Sequence, residues 1–213
     1  GLLASLQSSS AKALGLIMNV SIKGKGKFSL NKNDFVAAGG EGSIYRKGST
    51  AFKIYAERKK MIHVAKIGEL SVLQHPDIIK PEDIIFDSNG DAVGYTMKFI
   101  KDTYALCQLF PKVFRDRFRI KPNAIAALVT KLQDIVSHAH SHGILLVDLN
   151  EMNFLIDDKF SRIYAIDCDS WQTKSFRATA IMESIRDRHA TGPGDRYNPS
   201  QATDWFSFAI VSF

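Results

Sequence analysis

Residues 140–172 read HSHGILLVDLNEMNFLIDDKFSRIYAIDCDSWQ. Three short apolar runs stand out as strand candidates: LLV before Asp148, FLI after Asn153, and IYAI, which ends on the acidic run Asp167-Cys168-Asp169. Acids and amides thus gather where strands stop. Asp148 and Asn153 lie five residues apart on one loop, and Asp167 follows after one hairpin, so folding that hairpin back brings their side-chain oxygens to one end of a sheet. Such a set suits Mg²⁺ and phosphate. Mg²⁺ prefers hard oxygen ligands and keeps several waters, so one carboxylate, one amide and substrate phosphates suffice, leaving the third group free to act as a base.

On these residues the chain resembles the protein-kinase superfamily. Val147-Asp148-Leu149-Asn150-Glu151-Met152-Asn153 is similar to the kinase catalytic loop, and Asp167-Cys168-Asp169 to the metal-binding DFG motif. The pattern HG-x4-D-L-N-x-x-N-x-L-I followed by I-D-x-D-S-x-Q resembles an atypical prokaryotic and phage branch. The resemblance runs from about Phe28 to the last residue.

Upstream, Phe35 to Tyr45 reads strand, glycine turn, strand. Laid on the kinase glycine-rich loop, Gly39 and Gly42 fall on its second and third glycines, Gly40 lies between them, Ile44 takes the valine position, and Ala37 replaces the first glycine. Taken alone, a tight hairpin explains this stretch equally well. The strand Ala51-Phe52-Lys53-Ile54-Tyr55 follows and puts Lys53 at the position of the α/β-phosphate lysine. An apolar stripe over 57–74 predicts a helix corresponding to the regulatory helix, with Glu69, or more weakly Glu57, as the acid partner of Lys53. A hairpin over 84–97 then leads to Met97, Phe99 and Ile100, which resemble the hinge that contacts adenine. Asp87, Asn89 and Asp91 alternate like a calcium loop but lack its closing Glu, so a plain turn is expected.

The pattern over 121–142 predicts a long amphipathic helix opened by Pro122 and stopped by Gly143. His138 and His142 lie four apart on it, a spacing that a metal could use but that also suits a helix C-terminus. Residues 175–188 occupy the place of an activation segment. The helix beginning near Thr203 carries Asp204, which by position braces the catalytic loop or simply favours a helix N-terminus.

The resemblance implies an α+β, two-lobed protein-kinase-like fold. Residues 1–30 form an N-terminal extension that includes a short helix over 2–18. Residues 31–100 form an N-lobe of antiparallel sheet plus helix, and 101–213 a mostly helical C-lobe cut off within its central helix. It also implies ATP and Mg²⁺ as ligands. Asp148 would serve as base, and Asn150 stands where a catalytic lysine is usual. Asn153, Asp167 and Asp169 would be the metal ligands.

The activity implied is ATP- and Mg-dependent phosphotransfer by an atypical Ser/Thr protein kinase, onto a protein or small-molecule hydroxyl. Two alternatives share the fold: a nucleotide-binding pseudokinase acting as a scaffold, and a small-molecule kinase or AMP-transferring relative. Leu146-Val147 replaces His-Arg before Asp148, so no arginine waits there to read a phosphorylated loop.

Composition sets the outer bounds. With 45% hydrophobic residues in 213, the chain can build a sizeable core. The balance of 28 basic to 22 acidic residues suits phosphate and leaves nucleic acid open as a partner. Cys107 and Cys168 show neither disulfide nor zinc spacing, in keeping with a reducing, cytoplasmic setting. No apolar run is long enough to span a bilayer, so no membrane partner is expected.

Overall fold

Alternation of apolar and polar residues writes most of the first part of the chain as strands. In the computed structural model, which describes residues 17–178 and 181–212, β1 (Met18–Ile22), β2 (Gly26–Leu30), β3 (Phe35–Ala38), β4 (Gly42–Lys47), β5 (Thr50–Tyr55), β6 (Ile84–Phe86) and β7 (Ala92–Lys98) form one antiparallel sheet in the order β2-β1-β6-β7-β5-β4-β3. One face of it buries Val20, Ile22, Leu30, Tyr45, Phe52, Ile54 and Ile85, with Met18, Phe28, Phe35 and Val93 packed alongside. The helix expected over 2–18 lies mostly outside the described residues. Met18 opens β1 instead, and β1 pairs with β6, so residues 18–30 belong to this sheet.

The β6–β7 turn bears out the plain reading of 87–91. Asp87 Oδ1 accepts the N–H groups of Asn89 and Asp91, Gly90 sits at φ 82°, and Arg58 bonds Asp87 and Asp91 at 2.5 Å each. Its acids are used within the protein.

The chain divides into two compact units. The first combines the described residues up to Val64 with Pro81–Ile100, and the second combines Ala65–Lys80 with Lys101–Phe213. In the second unit, β8 (Thr103–Ala105), β9 (Phe154–Asp157) and β10 (Ile163–Ala165) form a small antiparallel sheet in the order β10-β9-β8. Beside it run α2 (Lys112–Arg117), α3 (Pro122–Ser141) and α4 (Gln201–Ser212). Pro122 opens α3 and Gly143, at φ 69°, follows its end, as the sequence predicts. Leu128, Leu132, Ile135, Val136 and Ala139 form its buried stripe. Among the described residues no helix is long and apolar enough to cross a membrane.

Two expectations need correction. The helix predicted over 57–74 is a 3-10 turn at Arg58–Lys60 and a short α1 at Val64–Leu70, separated by extended backbone at Met61. Glu57 is drawn to Lys59 and Lys60, closing the first turn locally. Beyond Leu70, the Ser71 hydroxyl bonds the Gly68 carbonyl and Lys80 Nζ takes the Ser71 and Leu73 carbonyls, so side chains satisfy acceptors that further helix would have used. The run LLV at 145–147 is likewise not a strand. Only Leu145 makes a bridge, to Gln172, and Val147 turns to φ 62°.

Candidate active site

In the sheet unit, β3 and β4 form the expected hairpin, closed by Gly39 N–H on the Gly42 carbonyl at 2.9 Å. Its glycines differ in their surroundings. A Cβ on Gly42 would collide with the Ile54 carbonyl of β5, so strand pairing already demands glycine there, whereas Gly39 and Gly40 face open space. Ile44 pairs in register with Lys53. Lys53 is buried, 5.2 and 5.6 Å from the rings of Tyr55 and Tyr95, with Nζ 3.2 Å from Glu41 Oε2. Its ammonium is thus sheltered but directed to the glycine hairpin, which carries Glu41. Met97 and Ile100 bracket the end of β7, and Phe99 is fixed by its N–H on the Ser49 carbonyl and by Arg46, 4.6 Å from its ring.

In the second unit the loop after α3 is built around Asp204. This carboxylate is fully buried in α4 and accepts Leu146 N–H and Val147 N–H at 2.8 Å each, with His140 Nε2 also at 2.8 Å. Asp204 lies in the first turn of its helix, but its oxygens are spent on the loop. A β-branched residue at positive φ is costly, about 1–3 kcal/mol, and persists only when its surroundings fix it. Here the two N–H bonds to Asp204 do so, presenting Asp148 immediately afterwards.

Asp148 is held on several sides. Its Oδ2 receives Asn150 Nδ2 at 3.0 Å, its carbonyl receives Asn153 Nδ2 at 2.9 Å, and its Oδ1 receives Met182 N–H at 2.7 Å. Asn150, almost wholly buried, also accepts Met152 N–H, so it orients the Asp148 carboxylate from within. Asn153 spends its amide N–H₂ on Asp148 and accepts Ile166 N–H on its main-chain carbonyl at 2.9 Å. That last bond carries the β9–β10 hairpin back and places Ile166, next to Asp167, beside the loop.

The acidic run is a 3-10 turn, Cys168–Ser170, entered through Asp167 at φ 63°. Ser170 N–H and Oγ both bond the Asp167 carbonyl. Buried Cys168 points its Sγ at the Ile79 carbonyl, 3.5 Å away. The nearest carboxylate oxygens of Asp167 and Asp169 lie within 4.8 Å of one another, a hard-oxygen pair of the kind a divalent cation accepts.

Glu69, expected beside Lys53, accepts Ser175 N–H at 3.2 Å. Bonds from Ser175 and Thr173 hold its carboxyl below the usual range. Sequence reasoning passed over Lys66, one turn before Glu69 on α1 and buried, whose Nζ donates to the Asp169 carbonyl at 2.6 Å. Burial pushes its ammonium pKa down, against the opposing pull of Asp169 and Glu69. The available signal was a lysine placed directly beside Ile67 and four before Leu70, on the apolar stripe.

The rings of His138 and His142 lie 4.6 Å apart, tilted to one another, and His75 joins His138 at 5.2 Å. His75 accepts Asp77 N–H on Nδ1, so its Nε2 carries the proton donated to Asp134 and offers no lone pair to a metal.

No protein-family model matches this chain. Over 124 residues it is 27% identical to an Acanthamoeba polyphaga mimivirus protein named "Putative serine/threonine-protein kinase". The match covers 55% of this chain and 42% of the viral protein, so it spans less than half of that relative. It amounts to a kinase-like similarity at low identity.

Proposed function

We propose that this chain carries an ATP- and Mg²⁺-dependent phosphotransferase site of the atypical Ser/Thr protein-kinase type. The observation that carries the reading is the Asp204-braced loop, which delivers Asp148 while Asn153 ties that loop to the strand leading into Asp167. The similarity to the viral protein supports the same class. Asp148 Oδ1 accepts or orients the proton of the attacking hydroxyl, once Met182 N–H gives way, and Asn150 fixes the carboxylate's rotation. By the kinase resemblance Lys53 would be the α/β-phosphate lysine, and within the sheet unit Gly39 and Gly40 leave open space beside the main chain for a phosphate. Asn153 Oδ1, Asp167 and Asp169 are the residues that would hold Mg²⁺, which when bound neutralises charge on the phosphates.

ATP labelled at the γ or the α position, run side by side with a protein acceptor mixture, tests the reading. Label from γ alone on serine or threonine is expected. Label from α would mean AMP transfer, and none from either would remove phosphotransfer. Thermal unfolding with Mg-ATP at one hundred times its Kd should show about 2.7 kcal/mol of added stability. No shift at millimolar nucleotide would remove binding altogether.

A further inference from the structure

The contacts of α1 point to a role for that helix other than pairing with Lys53. Its seven residues make two polar ties to the chain that follows β10, both inside the second unit. Lys66 Nζ bonds the Asp169 carbonyl at 2.6 Å, and one turn later Glu69 Oε2 receives Ser175 N–H at 3.2 Å. The tied segment starts at a left-handed Asp167 and contains both acids of the proposed cation site. Lys66 is buried, where an ammonium is expensive unless it is bonded.

We infer that Lys66 is a positioning residue: its bond to the Asp169 carbonyl clamps the 167–170 turn so that the Asp167 and Asp169 carboxylates are held together for a divalent cation. The inference rests on the phosphotransferase reading for what the acids bind, but the clamp itself can be read without nucleotide. Cys168 makes that possible. Its thiol, on the turn, is buried against the Ile79 carbonyl and 1% exposed, while Cys107 sits half-buried elsewhere as an internal control.

The experiment compares the full chain with Lys66→Met and Lys66→Arg. Labelling of each thiol by iodoacetamide at fixed pH, without metal or nucleotide, is followed by mass spectrometry of the separate peptides. Lys66→Met should raise the Cys168 rate tenfold or more with Cys107 changed less than twofold, and Lys66→Arg, which keeps charge and donors, should restore most of the protection. Equal Cys168 rates in wild type and Lys66→Met overturn the clamp. Should Lys66→Met fail to fold by circular dichroism, Lys66→Gln takes its place under the same criterion.

The second readout is the half-saturating Mg²⁺ for ATP-dependent stabilisation. It should rise tenfold or more in Lys66→Met, while half-saturating ATP at excess Mg²⁺ moves less than threefold. A Mg²⁺ requirement unchanged within twofold overturns the role in cation binding. Absence of any Mg-ATP response in wild type would count against the phosphotransferase reading, and the thiol rates would still decide the clamp.

Discussion

Replacing Asp204 probes the brace on which the whole loop depends. Three donors converge on its carboxylate, Leu146 N–H, Val147 N–H and His140 Nε2, each at 2.8 Å and none with water access to the acceptor. Hydrogen bonds to a charged group contribute about 1.5–3 kcal/mol each, so the gross loss in Asp204→Ala is roughly 4.5–9 kcal/mol. Relaxation of the loop and entry of water recover part of that, leaving an expected loss of about 4 kcal/mol, a large share of the roughly 5–15 kcal/mol that holds most domains folded. Asp204→Asn keeps one carbonyl acceptor but turns an N–H₂ towards a donor, and about 2 kcal/mol is expected. Urea unfolding of both variants measures this as a lower midpoint at unchanged slope. A shift below about 1 kcal/mol for Asp204→Ala would show that the buried N–H groups are satisfied in some other way, and the account of the Val147 conformation would go with it.

Three further outcomes are expected. Gly40→Val should leave the melting temperature nearly unchanged and abolish most of the Mg-ATP response, because Gly40 faces open space; Gly42→Ala should cost about 1–3 kcal/mol without ligand, because its Cβ meets the Ile54 carbonyl. An unchanged Mg-ATP response in Gly40→Val would assign the glycines purely to strand pairing. Asp148→Asn should stop phosphate transfer with nucleotide affinity retained, whereas Asp167→Asn should weaken Mg²⁺-dependent binding; calorimetric titration distinguishes them, and equal loss of binding in both would make Asp148 a ligand or a structural group. Burial pushes the Asp157 carboxyl up, but N–H bonds from Arg162 and Ser161 and the Ser161 hydroxyl outweigh it, so its pKa lies below the ordinary 3.8. An acid lowered in this way stabilises the fold above its unfolded pKa and loses that contribution as pH falls through the folded value. The deficit of Asp157→Asn in urea should therefore be full at neutral pH and shrink below about pH 4, and a constant deficit across the acid range would contradict the assignment.

The parts of the fold that could be read beforehand are those written in local periodicity. The FLI and IYAI runs form β9 and β10, the stripe from Leu128 to Ala139 forms α3, and Asp87 to Asp91 forms a turn, because alternation, helical spacing and turn residues are properties of neighbours in the chain. Leu145-Leu146-Val147 looks equally strand-like, yet its backbone is set by Asp204, 57 residues beyond Val147, and no local pattern reports that bond. The site divides the same way. The Asn153 amide reaches the Asp148 carbonyl within one loop, and the hairpin that follows returns Ile166 to the Asn153 carbonyl, next to Asp167, both being short-range consequences of the spacing. Glu69 and Lys66 were harder to read, because which face of a seven-residue helix turns inward depends on what lies opposite it. The inward role of Asn150 was hidden for a similar reason: an amide two residues after Asp148 can point either way until the loop is closed.

The Met182 N–H on Asp148 Oδ1 has a kinetic consequence. Under the proposed role of Asp148, a peptide group sits on the oxygen that an incoming hydroxyl would approach, so acceptor and segment would compete for that position, and the apparent affinity for an acceptor would be scaled by the fraction of time the segment is away. Good acceptors would then be those whose own main chain replaces Met182 in its contact with Asp148, and a free alcohol offering nothing to the displaced segment would react slowly however well its hydroxyl fits. Selectivity would arise from displacement, before any side chain of the acceptor is read.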